Sequence, residues 1–148
     1  MKRGFTLVEL MLVVIILGIL VGMVVPRLVG RSEEARIAAA KADIQGSIAT
    51  ALDLYEMDVG TYPEELKELC EKPSDEKKAK RWKGPYLKKC AQEGEEVVIP
   101  DPWGNPYKYQ FDRDKGTYLL YSFGPDEEDQ GGKGGDDISN LYEKKREE

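Results

Sequence analysis

An α+β fold, with one long N-terminal helix laid on a small antiparallel sheet, follows from two patterns in this sequence. Ile37, Ile44, Ile48, Ala51 and Tyr55 recur at spacings of 7, 4, 3 and 4, which puts them on one face of a helix. Charged residues such as Lys41, Asp43 and Asp53 fall on the other faces. Further on, Tyr107-Lys108-Tyr109-Gln110-Phe111 alternates aromatic and polar residues. Asp112 to Gly116 supplies a turn, and Thr117 to Ser122 reads as a second strand. Such a hairpin is the natural cover for the helix stripe.

The helix begins in an apolar run. Residues 3 to 25 read RGFTLVELMLVVIILGILVGMVV, with one carboxylate, Glu9, set inside it. Phe5 to Val25 as a helix is about 30 Å long, close to a bilayer core. A charge at the centre of a membrane helix costs about 2.5–3.5 kcal/mol on insertion scales. A secretory signal peptide does not fit, because no A-x-A-like site follows the run. A plain anchor fits, with Lys2 and Arg3 on the cytoplasmic side. It leaves Glu9 unexplained unless that side chain sits at the headgroup level.

Pro26 predicts a bend rather than a stop, since Ser32 to Arg36 resumes a helical composition. The amphipathic half then runs to about Met57. Gly60 and Pro63 end it. Glu64 to Glu71 reads as a short helix with Leu66 and Leu69 facing inward. Pro73 to Lys83 is charged and weakly ordered by composition, and Gly84 to Leu87 punctuates it. Val97 to Ile99 is a brief apolar stretch. Asp101-Pro102-Trp103-Gly104-Asn105-Pro106 is turn chemistry around one large aromatic.

Composition excludes several functions. The formal charge is −6 over 148 residues, which argues against a nucleic-acid surface. Histidine is absent, so His triads, His zinc ligands and His pH switches are impossible. Carboxylates are plentiful, but none stands in a recognisable acid/base arrangement, which disfavours a membrane-anchored enzyme. Cys70 and Cys90 are too far apart for a CxxC redox pair or a zinc knuckle. In an exported chain they meet an oxidising compartment. A Cys70–Cys90 disulfide is expected, with two free or separately buried thiols as the alternative. Near the C-terminus, Asp126 to Asp129 and Asp136-Asp137 bracket a glycine-rich stretch. Clustered oxygen ligands suit calcium. A solvated acidic turn is the other reading, and the spacing is not that of an EF-hand.

The string Lys2-Arg3-Gly4-Phe5-Thr6-Leu7-Val8-Glu9 resembles the class III leader junction of type IV pilins and pseudopilins. The resemblance implies that a prepilin peptidase cuts between Gly4 and Phe5 and methylates the new amine. Glu9 then becomes the fifth mature residue and pairs with the N-terminal amine of a neighbouring subunit. A carboxylate in lipid is tolerable when it meets a cation in the same low-dielectric layer.

Asp58-Val59-Gly60-Thr61-Tyr62-Pro63, Asp101 to Tyr107, and Ser122 to Asp126 with Asp136-Asp137-Ile138 resemble the major pseudopilins of type II secretion systems. The similarity runs over nearly the whole chain and implies a pilin-like fold with a C-terminal calcium loop. Asp126, Asp136 and Asp137 would give side-chain oxygens to the calcium ion, and Phe123 and Glu128 their carbonyls. On this reading residues 1–4 are a leader peptide, 5–31 a transmembrane and assembly helix, and 32–148 a periplasmic globular domain. That domain comprises the outer half-helix, a variable region 64–100, the hairpin 107–122 and the acidic loop 123–140. The implied state is a single-pass inner-membrane subunit that polymerises into a helical fibre. Its implied partners are copies of itself, minor pseudopilins and an inner-membrane assembly platform, with no nucleic acid. The rival is a type IV pilin of a surface fibre. The Asp/Gly loop and the lack of a cysteine-bounded C-terminal loop disfavour it. Lys88 to Ile99 is longer than is usual for the subfamily, and the cysteine pair is not part of its pattern.

Overall fold

The structure, a computed structural model, describes residues 6–141, without the side chains of residues 21–31. The chain divides into two compact units, Met1–Ala35 and Arg36–Glu148. Helix α1 runs Leu7–Ala42 and continues through Pro26. From Leu7 to Leu20 its apolar side chains are exposed. Among the described residues no helix is long and apolar enough to cross a membrane. The expected span, 5–31, takes in side chains outside that description.

In the second unit the helical path passes through a π turn, Asp43–Ser47, into α2, Ile48–Val59. A π turn carries one extra residue and rotates everything after it. The buried series is accordingly Ala40, Ile44, Ile48, Ala51, Leu52, Tyr55 and Val59. Ile37, expected on this stripe, is only half-buried. Side chains fix the π turn from outside. Lys89 Nζ lies 2.9 Å and Tyr107 OH 3.1 Å from Asp43 Oδ2, and both donate to it. Gly60 ends α2 at φ 95°, and its N–H donates to the Glu56 carbonyl at 2.7 Å. Only glycine takes that left-handed cap without a steric cost.

The region 64–100 departs most from expectation. A single 3-10 turn, Leu66–Leu69, replaces the predicted helix over Glu64 to Glu71. Leu69 is fully buried there, as expected. Beside it Glu68 is buried and accepts a very short hydrogen bond from Tyr55 OH. Burial, and then the Glu68 carboxylate, push the Tyr55 phenol far above its ordinary range, so it stays a donor. Pro73 to Lys83 is ordered rather than weakly structured. It holds helix α3, Glu76–Arg81, capped by Asp75, whose Oδ1 accepts from Lys77 N at 2.9 Å and Lys78 N at 3.0 Å. The cap outweighs a charged composition that buries nothing on its own. Trp82 then donates from Nε1 to the Glu68 carbonyl at 2.8 Å, which holds α3 to the 3-10 turn.

The stretch around Val97 forms a small hairpin, β1 (Ala91–Glu93) with β2 (Glu96–Val98). The predicted hairpin is present as β3 (Lys108–Asp112) and β4 (Thr117–Ser122). A third strand, β5 (Ile138–Ser139), pairs antiparallel with the end of β4. Two residues carry too little periodicity to be read as a strand. Leu120 of β4 and Tyr107 meet Ile44, Ile48, Leu52 and Tyr55 in one core. Each such apolar side chain, fully buried, is worth about 1.5–3 kcal/mol.

Cys70 and Cys90 are bonded, with Cα atoms 6.1 Å apart. The bond ties the 3-10 turn to the start of β1, across a segment whose Trp82, Tyr86 and Leu87 pack against the rim of the core. Closing a loop of about 20 residues stabilises by about 3 kcal/mol in the chain-entropy model. Replacing both cysteines by serine should therefore lower the free energy of unfolding by about 2–4 kcal/mol in urea titration. An unchanged urea midpoint would show that the crosslink closes a loop already held by α3 and Trp82.

Candidate functional site

Asp101 is the buried acid on which the C-terminal half of the domain is built. The turn Asp101–Asn105 curls over its carboxylate. Oδ1 accepts the backbone N–H groups of Trp103, Gly104 and Asn105, each at 2.9 Å. Oδ2 accepts from Ser122 Oγ at 2.6 Å. Ser122 in turn accepts from Gly124 N at 3.1 Å. One carboxylate thus joins the turn before β3, the end of β4 and the start of the acidic loop. Hydrogen bonds to a charged group contribute about 1.5–3 kcal/mol each.

The loop that follows closes on itself. Gly124 has φ 75°, and a Cβ there would stand 2.0 Å from the Asp136 carbonyl oxygen. Only glycine lets the two limbs approach so closely. Asp137 is buried at the centre, with Oδ2 accepting from Gln130 N at 3.1 Å and Gly132 N at 2.7 Å. Its other oxygen, Oδ1, is buried with no hydrogen-bond partner among the described residues. Asp126 is exposed and accepts from Glu128 N at 3.1 Å and Gln130 Nε2 at 2.7 Å. Asp136 is also exposed. Phe123 turns its ring toward Tyr121, with Lys108 Nζ 5.5 Å from the ring centroid. Among the described residues no three acidic side chains converge into a ready metal cluster. Tyr121 OH donates to Asp129 at 3.1 Å; burial, then that carboxylate, push the phenol up to about 12. A groove of about 1300 Å³ runs beside the loop, lined by Ile37, Lys41, Gln45, Tyr118, Asp136 and Leu141.

At the other end of the chain, Gly4 and Phe5 lie outside the described residues. Glu9 sits in the first turn of α1. Thr6 N and Oγ1 each lie 3.4 Å from Glu9 Oε2, and Glu9 N lies 3.3 Å from Thr6 Oγ1. Thr6-Leu7-Val8-Glu9 is thus a reciprocal cap of the T-x-x-E kind, with long bonds.

The family described as Type II secretion system (T2SS), protein G matches residues 27–141. The chain belongs to that family. The prokaryotic N-terminal methylation motif matches residues 1–25. A type II secretion system core protein G of Pseudomonas aeruginosa is 43% identical over 143 residues, covering 94% of this chain and 94% of that one. Its counterpart in Vibrio cholerae is 39% identical over 142 residues, covering 94% and 91%. The crystal structure of the major pseudopilin from the type 2 secretion system of enterohaemorrhagic Escherichia coli superposes with a TM-score of 0.55. It is 26% identical and covers 79% of this chain and 96% of that one.

Three of the motifs that carried the resemblance prove to be one structural unit. D-P-W-G-N and S-F-G-P-D meet through Asp101 and Ser122, and D-D-I meets them through Gly124. Asp101 and Ser122 were not expected as site residues. The signal was present in Asp101 followed by Gly104 and Asn105 three and four residues later, which is how a side chain caps a backbone turn. Gln130 also went unread. Its side chain bridges the loop, donating to Asp126 and accepting from Asp136 N at 3.0 Å.

Proposed function

We propose that this chain is the major structural subunit of a type II secretion pseudopilus. It acts by polymerising rather than by catalysis. The prepilin is held in the inner membrane by its N-terminal helix with the Arg36–Glu148 unit on the periplasmic side, and is cut after Gly4. The family match over residues 27–141, together with the methylation motif over residues 1–25, carries this reading. An apolar helix whose side chains are exposed within its own unit supports it, since such a surface needs lipid or neighbouring helices around it. Among the described residues Glu9 makes only long bonds to Thr6, so its carboxylate is available to a subunit's amine. Minor pseudopilins and an inner-membrane platform complete the assembly.

The test is assembly in a bacterium whose own protein G gene is deleted. The chain should form sheared-off fibres and restore export, and its N-terminus should read as N-methyl-Phe5 by mass spectrometry. Glu9→Ala should still insert but yield about tenfold fewer fibres, since a lone carboxylate no longer rewards docking. A chain that keeps Met1, or fibres that ignore Glu9, would contradict the proposal.

The C-terminal loop is proposed to hold calcium. Asp137 Oδ1, buried and unpartnered, is the type of atom a cation satisfies. Asp126, Asp136 and Asp137 would supply side-chain oxygens, with the carbonyls of Phe123 and Glu128. A bound ion would neutralise the loop's mutual repulsion and fix its glycines. The unit should melt about 10 °C or more higher at a hundredfold excess of calcium over Kd than in chelator. Asp137→Ala should remove the difference. Coincident melting curves at millimolar calcium would reduce the loop to a solvated turn.

A further inference from the structure

We propose that the basic face of α3 is a docking surface for the acidic loop of a second copy of this chain, stacked end to end with it. The inference rests on the fibre reading above and names one contact within it.

Residues 72–83 contain six basic side chains, Lys72, Lys77, Lys78, Lys80, Arg81 and Lys83, against Asp75 and Glu76. Helix α3 buries none of its residues. Lys78 and Lys83 are spoken for, by Glu64 at 2.8 Å and Asp58 at 2.7 Å. Lys77 and Lys80 are exposed and make no salt bridge among the described residues. The loop carries the opposite charge. Besides the aspartates proposed for calcium, Glu127, Glu128 and Asp129 present exposed carboxylates, and none forms a salt bridge among the described residues.

The fold keeps these two surfaces apart. Arg81 donates to the Val59 carbonyl and Lys83 pairs with Asp58, so α3 sits at the far end of α2. The acidic loop shares its groove with Ile37, Lys41 and Gln45, at the opposite end of the same helical path. From Lys41 to Asp58 that path is about 25 Å long. The Debye length in physiological salt is about 8 Å, so neither cluster feels the other within one chain. Opposite charges at opposite ends of one subunit are self-complementary only head to tail. A head-to-tail contact does not close, and it builds a helical filament. The occupant of the basic face is therefore a second copy, whose loop meets it along the fibre axis.

The test uses fibres assembled in cells from the full chain. Lys77→Glu with Lys80→Glu, and Glu127→Lys with Glu128→Lys, should each lower fibre yield about tenfold, by loss of several surface pairs at once. All four side chains are exposed, Glu128 is named for calcium only by its carbonyl, and Glu127 accepts an exposed hydrogen bond from Asn105 Nδ2 at 3.2 Å, so the melting temperature in chelator should hold to within about 4 °C. The chain carrying all four reversals should recover to within about twofold, because the pairs are restored with inverted sign. In unsubstituted fibres, a carbodiimide should join Lys77 or Lys80 to Glu127 or Glu128. The separation within a chain makes any such bond intermolecular. Normal yield from either pair of reversals, no recovery in the fourfold variant, or absence of the crosslink would each overturn the inference while leaving the fibre reading intact. Loss confined to the lysine reversals would point to an anionic lipid instead, and would also overturn it. If the unsubstituted chain forms no fibres, the fibre reading fails, and this contact fails with it.

Discussion

A buried carboxylate has to be satisfied, and Asp101 satisfies itself by organising everything around it. Four hydrogen bonds converge on its two oxygens, three from one turn and one from Ser122. A polar group in the interior is tolerable only when it is so fully engaged. The geometry that engages it also fixes where the turn leads into β3 and where the loop leaves β4. Ser122 passes the constraint to Gly124, and Gly124 brings the loop's two limbs together against Asp136. Asp137 then has no choice but to point inward, where one oxygen finds two amides and the other finds none. The loop is thus an extension of the core, not an appendage.

The helix stripe and the hairpin were legible because they obey strict periods. Ile44, Ile48, Ala51 and Tyr55 repeat as a helix must, and Tyr107 to Phe111 alternates as a strand must. Gly60 announced its own cap. What escaped was set by contacts distant in sequence. The π turn at Asp43–Ser47 is held by Lys89 and Tyr107, which no local pattern around Asp43 reveals. Helix α3 depends on the Asp75 cap and on Trp82 reaching Glu68, so composition alone made it look weakly ordered. Strand β5 has two residues and exists because β4 offers an edge. In the loop the aspartates were named as a group. Their inequality, one buried and two exposed, arises from Gly124 and Gln130 and could not be read from spacing.

The two ends of the chain follow the same physical rule. Each places a carboxylate where it is incompletely met by its own chain. Among the described residues Glu9 has only long bonds to Thr6, and Asp137 leaves one oxygen unpartnered. Unmet charge in a low-dielectric setting favours whatever supplies the partner. For Glu9 the proposed partner is an amine from the next subunit, and for Asp137 a calcium ion. The exposed basic and acidic ends of the Arg36–Glu148 unit extend the rule to the surface, where the unmet charges are many and weak.

The central claim is that Asp101 couples the turn, β4 and the loop into one unit. Amide hydrogen exchange on Asp101→Ala tests it most directly. Protection should fall at Trp103, Gly104 and Asn105, and also at Gly124, Gln130 and Gly132, while the amides of α2 around Leu52 stay protected. Loss confined to residues 103–105, with the loop as protected as before, would contradict the account and leave Asp101 as the cap of a single turn.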